Sequence, residues 1–525
     1  MAFERLVLKG KVVETRNLFK KIPLLEGDNQ LSMDRLFIRI NQIMEEKKVR
    51  HVLITMDQSF QLYPGQLEEI GRWFKKLGDA GKELHFYSKN YNFKELYVSS
   101  FCNHRMIPED GTIYYLGNQI KRNYYKGLLD QLGIRVDVYR RGSYKGAADS
   151  FRSEKMDQYQ TEAAELLLKR SVESFEAEII KKFNLSENDF SWFKQGEYLS
   201  AEEGKNIGII TKIDYEFALI SQWMKQGEKK WKKKIKKESI GKGKKIGVLS
   251  FDGNIIDGEN QKRGPLGNSC GDESMIREIN GLRENKKIQG VIFKVNSGGG
   301  SASASAEIYH ALNKLKEKKP LVVLQTGLAA SGGYYISLPG QKIFTQHGTI
   351  TGSIGVITML PYIGSFLKEK GINHDGIQDG EFSDLLSPWK ERKEKEEVLI
   401  MKQIDHIYEG FKKKVVKERK LSAEKVEALS QGRIWSGYDG KKNGICDEVG
   451  GLFDAIDYLK ELLEFSKVKI EFFPKKKEGI VLRLMMGQGQ SSFNVSTEFQ
   501  MISFDKLGNQ PLLMSEELIF AGLQI

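Results

Sequence analysis

The sequence predicts an α/β fold built from two tandem copies of one unit, and three observations carry that expectation. First, 525 residues exceed one ordinary core at about 100–200 residues per domain. Second, the chain repeats itself at an offset of about 238 residues, the signature of a duplicated unit. Third, short apolar runs alternate with helical patterns, which argues for mainly parallel strands joined by crossover helices.

Along the chain, Met1–Glu14 reads as a strand, LVLKGKVVE, interrupted by charge and lacking the apolar core of a secretory signal. KKVRHVLITM at 47–56 then matches KKIQGVIFKV at 286–295, each a buried-strand pattern after a lysine pair. GTIYYLG at 111–117 matches GTITGSIG at 348–355 with one deletion, LGIRVDVYRRG at 132–142 matches KGINHDGIQDG at 370–380, and GKNIGI at 204–209 matches GKKNGI at 440–445. Order and spacing agree throughout. The expected domains are therefore 1–224, a lysine-rich linker 225–245, a second copy 246–465 and a tail 466–525. In the second copy, Gly290–Val295 is an apolar run and a glycine-rich loop follows at 298–300. Ala304, Ile308, Leu312 and Leu315 then recur at helical spacing, and Leu321–Leu324 is the next buried strand.

A hydrophobic fraction of 40% and a charged fraction of 29% exclude a disordered, collagen-like or polytopic membrane chain. Two windows without formal charge, 320–341 and 343–367, are long enough to span a bilayer. Prolines, glycine runs and many polar residues break both, so they read as turn-rich core. Cys102, Cys270 and Cys446 lie far apart without a C-x-x-C pair, so they offer neither a disulfide framework nor a zinc site, and no metal or cofactor is expected. The net charge of +12 is concentrated: residues 225–245 hold eleven lysines against Glu228 and Glu238, a local basic segment in an otherwise near-neutral chain.

Three glycine-rich turns in the second copy each follow an apolar strand, where open α/β sheets commonly carry active-site groups. They are NSGGGS at 296–301, AASGGYY at 329–335 and TGSIG at 351–355. In the second, Ser331 stands between small residues at a strand-to-helix turn. Such a turn exposes Oγ and leaves helix N-terminal amides nearby. A nucleophilic serine needs a base. The seven histidines, at 51, 85, 104, 310, 347, 374 and 406, form no recognisable triad motif, with His347 and His374 the alternatives if the fold brings one to the serine. A lysine serves if burial lowers its pKa from about 10.4 to roughly 7–8, which requires small, uncharged neighbours. Lys145, in GSYKGAA at 142–148, has them; most other lysines lie in charged runs. By the repeat, Lys145 aligns with Ser383, Ser331 with Phe93, and the 296–300 loop with DQSFQ at 57–61, which has no glycine. Each copy thus holds part of a serine–lysine site.

The residues YKGAA at 144–148, NSGGGS at 296–301, ASGGY at 330–334, TGSIG at 351–355, RIWSG at 433–437 and GICD at 444–447 resemble the signal peptide peptidase A (protease IV) family in its long tandem-domain form. The resemblance covers both copies in order. It implies a Clp-protease/crotonase-like fold and a Ser/Lys dyad, which maps onto Ser331 and Lys145. An oxyanion hole then falls to backbone amides of Gly299 or Gly300 and of Gly332, and Ser353 becomes the candidate to orient Lys145. The family's loop usually reads N-S-P-G-G, whereas this chain has Gly298 in the proline's place. The function implied is a serine endopeptidase for apolar peptides such as cleaved signal peptides, acting as a ring-like homo-oligomer, a tetramer of duplicated chains. Its activity should rise with pH through a value on the order of 7–9.

Two other readings compete. A crotonase-like acyl-CoA enzyme explains the glycine loops and leaves Lys145 unexplained. A non-catalytic scaffold would act through the basic segment, but Trp223 and Trp231 give it no regular aromatic interleaving, so no nucleic acid is expected. Contact of that segment, and of the apolar stretch Ile480–Met486, with an anionic membrane remains an expectation. The expected location is cytoplasmic or peripheral to a membrane.

Overall fold

The computed structural model describes residues 1–15, 30–231, 235, 239–264, 267–474 and 512–513. Part of the lysine-rich segment (232–234 and 236–238) and the tail stretch 475–511, with its candidate membrane contact Ile480–Met486, lie outside the described residues, as do 514–525.

The first copy is a parallel sheet around β1 (Ala2–Leu8), β2 (Val49–Met56), β3 (Glu83–Tyr87) and β4 (His104–Ile107), in the order β4-β3-β2-β1. A further strand, β5 (Arg135–Arg141), leaves this sheet altogether. The second copy repeats the design with β6 (Lys244–Asp252), β7 (Ile288–Ser297), β8 (Leu321–Ala330) and β9 (Lys342–Thr345), in the order β9-β8-β7-β6. Outer strands correspond too: Lys212–Ile213 pairs with β4 as Glu448–Val449 pairs with β9, parallel in both cases. Thr112–Tyr114 pairs antiparallel with Tyr198–Ser200, and Ile350–Gly352 with Ile434–Ser436. Each copy also carries one helix of 26 residues, Gln158–Phe183 and Glu394–Arg419, ended by a left-handed residue, Asn184 (φ 53°) and Lys420 (φ 54°). The chain is a tandem duplication.

Why these segments form central strands follows from their composition. Every residue of β8, LVVLQTGLAA, is buried, and nine of ten in β7, as expected for strands of a parallel sheet covered on both faces. The helix Ala302–Lys316 begins where Ser301 Oγ accepts the amide of Ala304 (3.2 Å) and buries Ala304, Ile308, Leu312 and Leu315 against the sheet. The uncharged windows 320–341 and 343–367 are strands and turns with the short helix Gly332–Ser337 and the start of Gly364–Glu369. No helix among the described residues is long and apolar enough to cross a membrane.

The two ends of the basic segment and the start of the tail are not mere connectors. Lys229–Lys230 pairs with β1, Lys244 and Lys245 begin β6, and Val468–Phe473 pairs with β6 as a strand of the second sheet. Strand pairing needs only backbone groups, so lysine side chains can face water while the main chain extends a sheet.

The copies pack closely. One core cluster draws Phe37 and Trp73 from the first and Ile246, Ile292 and Phe472 from the second. A buried charge group joins them: Lys294 Nζ lies 2.8 Å from Glu14 and 2.6 Å from Asp34. Burial raises the Asp34 carboxyl, whereas Lys294 brings Glu14 below its ordinary value despite complete burial. The helix Pro64–Asp79 abuts β8, where a Cβ on Gly65 would come within 2.3 Å of the Thr326 carbonyl oxygen.

A third sheet spans both copies. In it β5 pairs antiparallel with β10 (Val356–Tyr362) over seven residues, from Arg141 opposite Val356 to Arg135 opposite Tyr362. The first copy thereby sends a strand into the second, and residues 142–148 follow directly.

Candidate active site

Ser331 follows β8 directly and caps the short helix Gly332–Ser337. Its φ of 55° and ψ of −118° put a side-chain-bearing residue in a region that favours glycine, a strain that surrounding structure must hold. It is held by its own amide, which donates to the Gly352 carbonyl (2.8 Å), and by Tyr335 N donating to the Ser331 carbonyl (2.9 Å). The first amides of a helix have no partner within it, and here they are those of the 332–334 turn.

Lys145 lies three residues past the left-handed Gly142 (φ 108°). Tyr144 N donates to the Gln431 carbonyl (2.8 Å), and Arg140 Nη1 donates to the Lys145 carbonyl (2.9 Å) while pairing with the buried Asp149. Lys145 Nζ then lies 2.9 Å from Ser331 Oγ, 2.9 Å from Ser353 Oγ and 3.0 Å from the Ser353 carbonyl. All three residues are fully buried. Three neutral oxygens around a buried amine leave the serine hydroxyl within proton-transfer reach of it, in one chain.

The glycine loop packs on the serine turn. A Cβ on Gly332 would stand 3.1 Å from Gly299 Cα and 2.7 Å from Ser305 Oγ, and one on Gly333 would stand 2.2 Å from the Ser297 carbonyl oxygen. Of the candidate oxyanion donors, the Gly299 amide already meets Ser297 Oγ at 3.1 Å, and its carbonyl accepts from Ile255 N at 2.8 Å. Gly300 sits in the strand Gly300–Ser301 of the third sheet. The backbone of Leu512–Leu513 lies between that strand and β10, antiparallel to both. The two histidine alternatives have other partners: His347 Nδ1 is 2.8 Å from Glu68, and His374 stacks on Trp389.

The residues that the repeat aligns with Ser331 and Lys145 have different surroundings. Phe93 is buried as the first residue of the helix Phe93–Ser100, whose cap is Asn92, whereas Ser331 is itself the cap. Ser383 lies in an exposed turn. Sequence reasoning missed Gly432 (φ 74°), which forms the wall behind Lys145: a Cβ there would be 2.5 Å from Lys145 Cβ. Its one sequence signal is its place immediately before RIWSG at 433–437.

Comparison with known proteins adds the following. The family model for Peptidase family S49 matches residues 76–230 and again 313–466, and the Clp protease model matches residues 268–348. The chloroplastic serine protease SPPA of Arabidopsis thaliana is 30% identical over 417 residues, covering 76% of this chain, and the chain spans 61% of that relative's length. Protease 4 of Haemophilus influenzae is 27% identical over 453 residues (81% of this chain, 72% of the relative), and Protease 4 of Salmonella typhi 27% over 482 residues (88% and 77%). Among solved structures, a ClpP1 mutant from Listeria monocytogenes aligns with a TM-score of 0.27 at 18% identity, over 40% of this chain and 94% of that one.

Proposed function

The chain belongs to peptidase family S49, and from that premise we propose that it is a serine endopeptidase with Ser331 as nucleophile and Lys145 as general base. The observation that carries this reading is the 2.9 Å approach of Nζ to Oγ within a fully buried pair. Neutral Lys145 takes the hydroxyl proton as Oγ attacks the peptide carbonyl, and Ser353 holds the amine by its hydroxyl and carbonyl. Amides of Gly332 and of Gly299 or Gly300 face the developing oxyanion; the amide at 299 exchanges its bond to Ser297 Oγ if it takes part. Lys145 then returns the proton to the leaving amine. Water repeats the cycle on the acyl-enzyme.

Peptide as substrate is supported by the third sheet. The edges of Gly300–Ser301 and β10 pair with an extended backbone at Leu512–Leu513, the mode in which a substrate strand would dock. The preference for apolar peptides such as signal peptides, and assembly into a homo-oligomeric ring, are part of the same proposal. Peripheral attachment of Lys225–Lys245 to anionic lipid would read out as activity released from membranes by salt. The direct test is Ser331→Ala and Lys145→Ala assayed on apolar fluorogenic peptides, with circular dichroism as the folding control. Each should abolish turnover, since the pair acts as a unit. Full turnover by either folded variant rejects the dyad.

A further inference from the structure

The sequence predicts no metal site, yet the first sheet gathers three histidines and a glutamate at the N-terminal ends of its strands. His51 is the third residue of β2, Glu83 and His85 are the first and third of β3, and His104 is the first of β4. Parallel pairing sets His51 beside Glu83 and His85 beside His104, and the two-residue step from 83 to 85 keeps both side chains on one face. Ser331, by contrast, sits at the C-terminal end of a strand of the other sheet.

The spacing is that of ligands around an ion. His51 Nδ1 lies 3.3 Å from His85 Nε2 and 3.3 Å from Glu83 Oε2, and His85 Nε2 lies 3.8 Å from Glu83 Oε1. A tetrahedral zinc ion with bonds of about 2.0–2.1 Å separates its ligand atoms by about 3.3–3.4 Å. The surroundings suit coordination. His51 Nε2 lies 3.2 Å from Glu228 Oε1; an Nε2–H donated to that carboxylate would leave Nδ1 to ligate an ion. Trp223 stacks on His51 (centroids 5.2 Å apart) and meets His85 edge-on (4.9 Å), and His104 Nε2 reaches Glu83 Oε1 at 2.8 Å. The exposed Arg50 is a competing partner, its Nε 3.7 Å from Glu83 Oε2. The fold itself does not require these residues. At the same strand positions of the second sheet stand Gly290, Leu321, Val323 and Lys342.

We propose that His51, Glu83 and His85 form a zinc site, with Glu228 as its outer carboxylate. An ion there would pin the start of the basic segment, through Glu228 and the neighbouring strand Lys229–Lys230, to the edge of the first sheet. Its role would be structural, separate from the serine–lysine pair.

The test uses the full chain after chelator treatment, titrated with zinc alone by calorimetry. One ion per chain should bind, and cobalt in its place should give the intense visible absorption of a four-coordinate site, three side chains and one water. Glu228→Gln, which keeps every ligand, should weaken zinc binding about 10–100-fold; His51→Ala with His85→Ala should abolish it, while Ser331→Ala leaves it unchanged. Absence of stoichiometric binding by the unaltered chain overturns the proposal, as does undiminished affinity in the double histidine variant. Because the cobalt spectrum is read on the unaltered chain, misfolding of a variant cannot hide a negative result.

Discussion

Gly432→Ala isolates the positioning of Lys145 from its chemistry. A Cβ at 432 would stand 2.5 Å from Lys145 Cβ, 2.6 Å from its amide nitrogen and 2.7 Å from its Cα, where carbon atoms in contact prefer about 3.5–4.0 Å. One of the two segments must therefore move by about 1 Å. The 431–433 side is tied by Gly432 N to the Ile354 carbonyl (2.8 Å) and by Ser353 N to the Arg433 carbonyl (2.8 Å). The Lys145 segment is tied as well, by Lys145 N to the Gly142 carbonyl (3.1 Å) and by Arg140, so the two sides share the movement and part of it draws Nζ from its 2.9 Å contact with Ser331. A misplacement of that size lowers turnover about 10²-fold. The left-handed φ of 74° adds strain of roughly 1–2 kcal/mol for any residue with a Cβ. Gly208→Ala separates the two effects, since Gly208 has a φ of 83° and nothing within 4 Å of an added Cβ. Steady-state kinetics on a fluorogenic peptide, with active sites counted by a serine-directed fluorophosphonate, should show kcat lost at 432 and kept at 208. Wild-type kcat in Gly432→Ala, or an equal loss in both variants, would refute the reasoning.

Ser353→Ala removes one hydrogen bond to Lys145 and leaves the carbonyl contact at 3.0 Å; the φ of 51° is no harder for alanine than for serine. At about 1.5–3 kcal/mol for a bond to the ammonium that forms as Lys145 takes the proton, kcat should fall roughly 10–100-fold with KM unchanged, and an unchanged kcat would remove Ser353 from the mechanism. A pH effect on stability is expected from Glu69. Burial raises its carboxyl to about 7, although the Leu452 amide and the Trp73 indole donate to it. A pKa higher in the folded state gives stability that is full below the unfolded value near 4.5 and lost as pH rises through about 7, on the order of 3 kcal/mol. Urea unfolding of wild type against Glu69→Gln from pH 4 to pH 8 should show the curves separating over about 4.5–7, and parallel curves would refute the assignment.

What the sequence made legible was local or periodic. Buried strands, the repeat, the serine turn and a lysine among small residues are all properties of neighbouring positions. What it could not reveal was pairing over distance. β5 looks like one more strand of the first copy, yet its register is with β10, whose residues lie more than two hundred positions later. That crossing brings Lys145 to Ser331. Gly432 escaped notice because its need for a bare Cα arises from a segment remote in sequence. The histidine cluster escaped for the same reason, since His51 and His85 are distant in sequence and adjacent strands bring them together. The strands within the basic segment were hidden by side chains that oppose burial while their backbone still pairs.

The two copies differ at the segments that carry Ser331 and Lys145, and under the proposed dyad each supplies one of its members. In the first copy, the segment matching the glycine loop holds Ser59 and Asp57 in a hydrogen bond to each other, and the serine turn is a capped helix start packed by Phe93. In the second, Ser383 bonds its hydroxyl to the Gly380 carbonyl (2.7 Å) in an exposed turn, far from the conditions that would favour a neutral amine. The first copy supplies a dry environment for Lys145, and the second braces the strained Ser331 turn. The paired strands β5 and β10, with the Lys294, Glu14 and Asp34 charges sealed between the copies, hold the two together. Removing one partner from such a buried group leaves an uncompensated charge, at about 3–5 kcal/mol. Separation of the copies is thereby opposed by the same contacts that keep Lys145 at the serine.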